Sequence, residues 1–162
     1  LEEHKKAEIA ASYDILSFIK RASEIYGYPH FIADLSGSFC ELADETLVQT
    51  IAKTTLIIYL KANKATEEKV IERAQSHPKP LYYQKSFLLE RITTFCNEKN
   101  LGSEKEINPK AFAIWVFPHL IAHRLTLYEA IAEQYGITLN AEKVFHLESE
   151  KDLLSLIEKT AY

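Results

Sequence analysis

The sequence is poor in glycine and lacks methionine altogether. Only four glycines occur in 162 residues, and none is followed by lysine: Gly27, Gly37, Gly102 and Gly136. A phosphate-cradling loop of the GxxxxGK[ST] type needs two glycines between a strand and a helix. We therefore expect that this chain cannot form an ATP cradle by itself. Because it begins at Leu1 rather than methionine, we also expect it to be the C-terminal part of a longer protein.

Other absences narrow the class of protein. The sequence has no run of eighteen apolar residues and no basic segment followed by an apolar one at its start. We therefore expect no membrane span and no signal peptide. The two cysteines, Cys40 and Cys96, lack CxxC spacing, which favours free thiols in a reducing cytoplasm. A net charge of −4 argues against nucleic acid as a partner. The composition, 47% hydrophobic and 26% charged, is typical of one globular domain over residues 1–162.

Hydrophobic periodicity predicts helices that alternate with short strands. The predicted helices cover 2–26, 45–53, 66–76, 85–97 and 109–135, with a closing helix after its cap Ser149. The predicted strands are 30–33, 55–60 in the middle of a sheet, and 144–147 at an edge. This order predicts an α/β fold with a small parallel sheet of two or three strands covered by about six helices. Because three strands are few, we expect further strands from a missing N-terminal segment or from a second chain.

The segment Asp34–Ser38 carries the most suggestive chemistry, because it would leave the carboxyl end of the predicted strand 30–33. Ligands of open parallel sheets bind at that end. An acid there, Asp34, can hold a Mg²⁺-bound water or a substrate hydroxyl. The small residues Ser36, Gly37 and Ser38 would let backbone N–H groups approach an anion. Alternatively, Asp34 and Ser36 only form a turn and cap the next segment.

A basic segment follows in an otherwise acidic chain. Between Lys69 and Arg91, five basic residues stand against two acidic ones. Arg73, Lys79 and Arg91 flank a turn that two prolines stiffen. Residues 66–100 are thus a candidate lid that lays these three side chains over phosphates. The alternative is a solvated pair of surface helices.

Two histidines, His119 and His123, stand four residues apart on the predicted long helix, a spacing that can clamp a metal ion. No third ligand accompanies them in the sequence, and His123 falls on the apolar stripe of that helix. We therefore predict a hydrogen-bonded core histidine and no metal site.

Several stretches resemble a group of bacterial proteins called simply ATPases. They are Ile25–Phe31 leading into Asp34–Leu42, Pro78–Tyr83, Phe87–Glu90, Phe112–Trp115 and His119–Tyr128. The resemblance spans about residues 15–157, although Ser36 stands where the group has the first of two glycines. Members are similar to P-loop nucleoside and shikimate-type kinases, whose Gly-rich loop lies near the N-terminus.

The resemblance implies an incomplete P-loop-kinase-like three-layer sandwich. It makes Asp34 the acid near Mg²⁺ or the phosphoryl acceptor, and it places Arg73 and Lys79 in the lid. ATP and Mg²⁺ would serve the full-length protein, with a nucleotide or small-molecule phosphate acceptor as its partner. We expect part of an ATP-dependent phosphohydrolase or small-molecule kinase that is inactive as an isolated chain. The alternative is a non-catalytic helical interaction domain with no nucleotide role.

Overall fold

The computed structural model describes residues 2–79 and 81–161. Within these ranges, the structure has seven α-helices and two strands. In chain order, the elements are α1 Glu2–Tyr26, α2 Glu45–Ala52, β1 Ile57–Lys61, α3 Lys64–Ser76, α4 Lys85–Lys99, α5 Pro109–Tyr135, β2 Gly136–Asn140, α6 Ala141–Phe145 and α7 Glu150–Ala161. The predicted fold class, a small parallel sheet with many helices, is confirmed. Among the described helices, none is both long and apolar enough to cross a membrane.

The sheet consists of β1 and β2, which run parallel with Ile57 opposite Gly136 and Lys61 opposite Asn140. Helices α3, α4 and α5 form the connection between the two strands. At Gly136, a Cβ would overlap the backbone carbonyl of Ile57. The absence of a side chain at this position therefore lets α5 pass directly into a strand that pairs with β1.

Local capping signals in the sequence predict three helix starts correctly. The Asp44 carboxylate accepts a hydrogen bond from Leu47 N at 2.9 Å, and Asn108 accepts one from Ala111 N at 3.0 Å. Ser149 precedes α7, and its hydroxyl oxygen accepts a hydrogen bond at 3.3 Å from the backbone N–H group three residues later. Each bond satisfies an N–H group that the first turn of a helix leaves without a partner.

The predicted strand 30–33 is wrong, because the structure has irregular backbone there. Within the described residues, the backbone of 29–35 makes no backbone hydrogen bond. Phe31 and Ile32 are 42% and 80% exposed. A β-branched, apolar sequence forms a strand only when a neighbouring strand accepts and donates the ladder hydrogen bonds.

The other two strand predictions need correction. The predicted edge strand 144–147 is wrong, because α6 and the turn after it occupy this part of the chain, while the second strand is 136–140. The strand predicted at 55–60 begins two residues later, since Thr55 N and Oγ1 bond the Ile51 carbonyl at the end of α2. It is also not central, because β2 is its only neighbour among the described strands.

Two hydrophobic clusters form the core. The first joins the 3-10 turn at residues 39–41 to α2, and its buried members are Phe39, Leu42, Leu47, Val48 and Ile51. The second joins α4 to α5, and its buried members are Phe87, Phe95, Phe112, Val116 and Leu120. Because two of its phenylalanines come from α4, the second half of the candidate lid 66–100 is anchored in the core.

Candidate functional site

The segment Ser36–Ser38, called the serine loop below, leads into the 3-10 turn Phe39–Glu41. Phe39 N donates to Ser36 O at 2.9 Å, which closes the loop into a tight turn. The hydroxyl oxygens of Ser36 and Ser38 lie 2.8 Å apart, and Ser38 N donates to Ser36 Oγ at 3.3 Å. Ser36 is exposed, whereas Ser38 is only 5% exposed. The small residues thus bring two hydroxyl groups together.

The two hydroxyl groups converge on a carboxylate from α1. Ser38 Oγ lies 2.9 and 2.7 Å from the two carboxylate oxygens of Glu8, and Ser36 Oγ lies 3.3 Å from Oε1. His4 Nε2 lies 3.0 Å from Glu8 Oε1. Since His4 meets the carboxylate and not a serine, this is not a Ser–His–Asp arrangement for nucleophilic catalysis. It is an anion held by hydroxyl donors.

A buried ion pair holds the 3-10 turn that follows the serine loop. Glu41 is 1% exposed, and Arg124 from α5 approaches its Oε2 with Nε at 2.6 Å and Nη2 at 2.5 Å. The other carboxylate oxygen accepts from Gln84 N at 3.2 Å, and Arg124 Nη2 donates to Tyr82 O at 3.1 Å. These bonds tie the loop, the long helix and the segment before α4 together.

The remaining guanidinium nitrogen of Arg124 faces the serine loop. A Cβ on Gly37 would lie 3.5 Å from Arg124 Nη1, so the missing side chain leaves the loop backbone close to this nitrogen. Within the described part of the chain, Nη1 donates no hydrogen bond. Among the described residues, this nitrogen is therefore free and lies next to Gly37.

Tyr128 and Cys40 close the inner side of the loop. The Tyr128 hydroxyl donates to Ser36 O at 3.4 Å, and its ring stacks on Tyr59 with centroids 5.4 Å apart. Burial raises the pKa of the Cys40 thiol to about 11, and burial also raises the pKa of Tyr128 above its usual range. Both groups are therefore neutral at physiological pH. A thiol that is neutral and 7% exposed is a packing group and not a nucleophile.

The structure places the other predicted site residues apart from this network. Asp34 is exposed and follows irregular backbone instead of a strand. Arg73 and Lys79 are exposed, in the last turn of α3 and in the turn after it. Arg91 lies over the Phe87 ring at 5.8 Å and pairs with the neighbouring glutamate. No hydrogen bond or ion pair within 2–79 and 81–161 joins Asp34 to any of these three cations.

The histidines of α5 lie among aromatic rings. His123 stacks on Phe87 with centroids 4.8 Å apart, and its Nε2 is buried without a hydrogen-bond partner in the described residues. This differs from the predicted hydrogen-bonded core histidine. His119 is exposed and lies against Trp115, with centroids 4.6 Å apart. The described ranges contain no group of three or more histidine, cysteine, aspartate or glutamate side chains that could hold a metal ion.

The sequence did not lead us to predict the residues that form the network around the serine loop. Glu8 and Arg124 carried one usable signal: each lies on a face of its helix that otherwise packs inward. Glu41 gave no local signal, because a single acidic residue after a loop is usually solvated. Comparison with protein-family models, curated proteins and solved structures finds no match to this chain. The resemblance to bacterial ATPases therefore stays a prediction.

Proposed function

We propose that this chain is part of an ATP-dependent P-loop phosphohydrolase or small-molecule kinase, in which it supplies the phosphate side of the site. The observation that carries the proposal is the convergence of the Ser36 and Ser38 hydroxyls on the Glu8 carboxylate. A loop whose hydroxyls already hold a carboxylate offers the donors that a phosphate oxygen needs. Hydrogen bonds to ionised acceptors are about twice as strong as neutral ones.

Arg124 adds a further hydrogen-bond donor to this set. Its Nη1 lies next to Gly37 and donates no hydrogen bond in the described ranges, while its other nitrogens are held by Glu41 and Tyr82. A guanidinium held in this way presents one fixed N–H edge to an anion, and arginine is the usual choice for phosphate recognition. The proposed phosphate contacts are thus Ser36, Ser38 and Arg124, with the backbone of Gly37 between them.

Asp34 stands two residues ahead of the loop and accepts no hydrogen bond from the described residues. Mg²⁺ in phosphate sites is commonly bound by one or two carboxylates together with phosphate oxygens and waters. A single exposed carboxylate fits that pattern as one ligand of Mg²⁺, or as a base that accepts a proton from a hydroxyl group. We assign Asp34 this catalytic role within the proposal.

ATP itself does not fit this chain alone. The sequence has no GxxxxGK[ST] loop, so the ATP cradle would come from residues outside the 162, on the same polypeptide or on a second chain. In the proposed lid, Arg73 and Lys79 carry the phosphate contacts because both are exposed. Arg91 is held on Phe87 and α4 contributes to the core, so the proposed lid contacts are limited to α3 and the turn after it.

The test compares ATP hydrolysis by this chain alone with ATP hydrolysis by the assembled protein, in which this chain is combined with the residues that form the ATP cradle. The isolated chain should not hydrolyse ATP. In the assembled protein, Asp34→Asn should lower turnover roughly 100-fold or more, as expected for loss of a catalytic acid or base. Asp14→Asn is the matched control, because Asp14 is an exposed aspartate of α1. Equal turnover of the Asp34 and Asp14 variants would refute the assignment.

One observation favours a second function, a non-catalytic helical interaction domain. Large apolar side chains are exposed at the end of α1 and in the segment after it: Ile25, Tyr26, Tyr28, Phe31 and Ile32. Contiguous exposed apolar surface is typical of interaction sites. If this were the sole function, Asp34→Asn would leave every activity of the protein intact, and polar substitution of Ile32, which is 80% exposed, would weaken partner binding without loss of folding.

A further inference from the structure

We infer that Glu8 is a built-in competitor of the phosphate group, so that the first turns of α1 regulate access to the serine loop. This inference rests on the proposed function of that loop. Glu8 lies on α1, 28 and 30 positions before Ser36 and Ser38, and its carboxylate accepts from both hydroxyls. It is therefore a group of the chain itself that occupies the donors a ligand would use.

Glu8 and a phosphate cannot use these donors at the same time. Ser38 has a single hydroxyl proton, and its oxygen lies within 2.9 Å of both Glu8 carboxylate oxygens. Ser38 is only 5% exposed, and the Glu8 side chain that lies on it is 19% exposed. An anion from solvent can reach this hydroxyl only after the Glu8 side chain has moved away.

The contacts that hold Glu8 are few enough for such a movement. Among the described residues, no lysine or arginine pairs with Glu8, and its one ionisable partner is His4, whose side chain is 55% exposed. His4 also stacks on Tyr82 with centroids 5.2 Å apart. The residues on either side of Glu8 include the exposed Ala7 and the half-buried Ile9, which packs on the first core cluster. Release of Glu8 thus requires a side-chain rotation or a small shift of one helix end, and the core stays closed.

The size of the effect follows from population arithmetic. A ligand that binds only the open loop has its apparent affinity reduced by the fraction of molecules in which the loop is open. If Glu8 occupies the loop about nine-tenths of the time, its removal strengthens phosphate binding about tenfold. A phosphate dianion displaces the carboxylate because it brings a higher charge and a third acceptor oxygen, which can meet Arg124 Nη1.

Calorimetric titration with inorganic phosphate at constant ionic strength tests the inference. Glu8→Gln removes the charge at nearly constant shape and should bind phosphate about tenfold more tightly than the unchanged chain. Glu24→Gln is the matched control, because it removes one exposed glutamate from the same helix and should leave the affinity unchanged. In the double variant Glu8→Gln with Ser38→Ala, the gain should disappear.

The outcomes separate this inference from the proposed function. If the unchanged chain binds phosphate and Glu8→Gln binds no more tightly, the competitor role is wrong and the phosphate site stands. If neither binds phosphate, both are wrong. A gain that survives Ser38→Ala also overturns the inference, because the site is then elsewhere. Should Glu8→Gln unfold, nuclear magnetic resonance of the unchanged chain decides. The signal of the Glu8 carboxyl carbon must shift as phosphate is added, and the absence of a shift overturns the inference.

Discussion

The carboxylate of Glu41 and the guanidinium of Arg124 form an ion pair across 83 positions of the chain, with Nη2 and Oε2 2.5 Å apart. The Glu41 side chain is fully buried, and that of Arg124 is 13% exposed. The pair fixes the 3-10 turn that follows the serine loop to the middle of α5. It also orients Arg124 Nη1, which donates no hydrogen bond among the described residues.

Removal of one partner of this pair should destabilise the fold strongly. Glu41→Ala leaves the Arg124 charge buried without a counter-ion, and such changes cost about 3–5 kcal/mol. Gln84 N also loses its acceptor. We expect the urea midpoint of Glu41→Ala to fall accordingly, measured by circular dichroism.

The matched control for this prediction is Glu129→Ala. Glu129 pairs with Lys61 at 2.6 Å, but both side chains are about half exposed. Exposed pairs contribute about 0–1 kcal/mol, so this variant should unfold close to the unchanged protein. Similar midpoints for the two variants would show that the Glu41–Arg124 pair is not buried as described.

The folded state should lose stability in alkaline solution because of Cys40. Burial raises the pKa of its thiol from 9.0 to about 11. The unfolded chain therefore releases this proton at lower pH than the folded one. The stabilising effect of the protonated Cys40 thiol is fully present below about pH 9. It is lost as the pH rises through 11, which lowers the free energy of unfolding by about 2–3 kcal/mol. Denaturant midpoints measured between pH 8 and 11 should show this decline.

Substitution of Cys40 separates the loss of stability caused by its thiol from the loss caused by the tyrosines. Burial also raises the pKa values of Tyr83 and Tyr128, so they add to the decline at the upper end of the same range. Cys40→Ala should reduce the loss of stability between pH 9 and 11. A decline as steep as that of the unchanged protein would contradict the assignment to this thiol.

Gly136 should tolerate no side chain. A Cβ there would overlap the Ile57 carbonyl oxygen, which belongs to the backbone and cannot rotate away. Gly136→Ala should therefore cost about 1–3 kcal/mol through overpacking and should speed amide exchange in β1 and β2. Gly102→Ala is the control, because its Cβ would meet only the flexible end of Glu106. Equal melting temperatures for the two variants would contradict the close approach of the strands.

The sequence predicted those parts of the fold that depend on neighbouring residues. The helix starts at Asp44 and Asn108 followed from capping bonds that span three positions. The strand 30–33 was wrong because a strand depends on a partner elsewhere in the chain, which local composition does not reveal. The strand 136–140 was missed although Ile137 and Leu139 alternate with polar residues, a signal that was present.

The candidate site was only partly predictable for the same reason. Ser36, Gly37 and Ser38 were predicted as phosphate contacts from their small size and their position after an acid, and this role stays a prediction. Their partners Glu8 and Arg124 lie far away in sequence and meet the loop only after α1 and α5 have packed. Spacing within one segment contains no information about such contacts.

The most direct test of the central claim is a nuclear magnetic resonance titration of the chain with inorganic phosphate at constant ionic strength. We predict saturable shifts of the Gly37 and Ser38 amide signals, and their loss in Ser38→Ala with the fold retained. Because Glu8 competes for the loop, the same titration of Glu8→Gln should saturate at lower phosphate concentration. If the loop amides show no saturable shift in either the unchanged chain or Glu8→Gln, the serine loop is not a phosphate site.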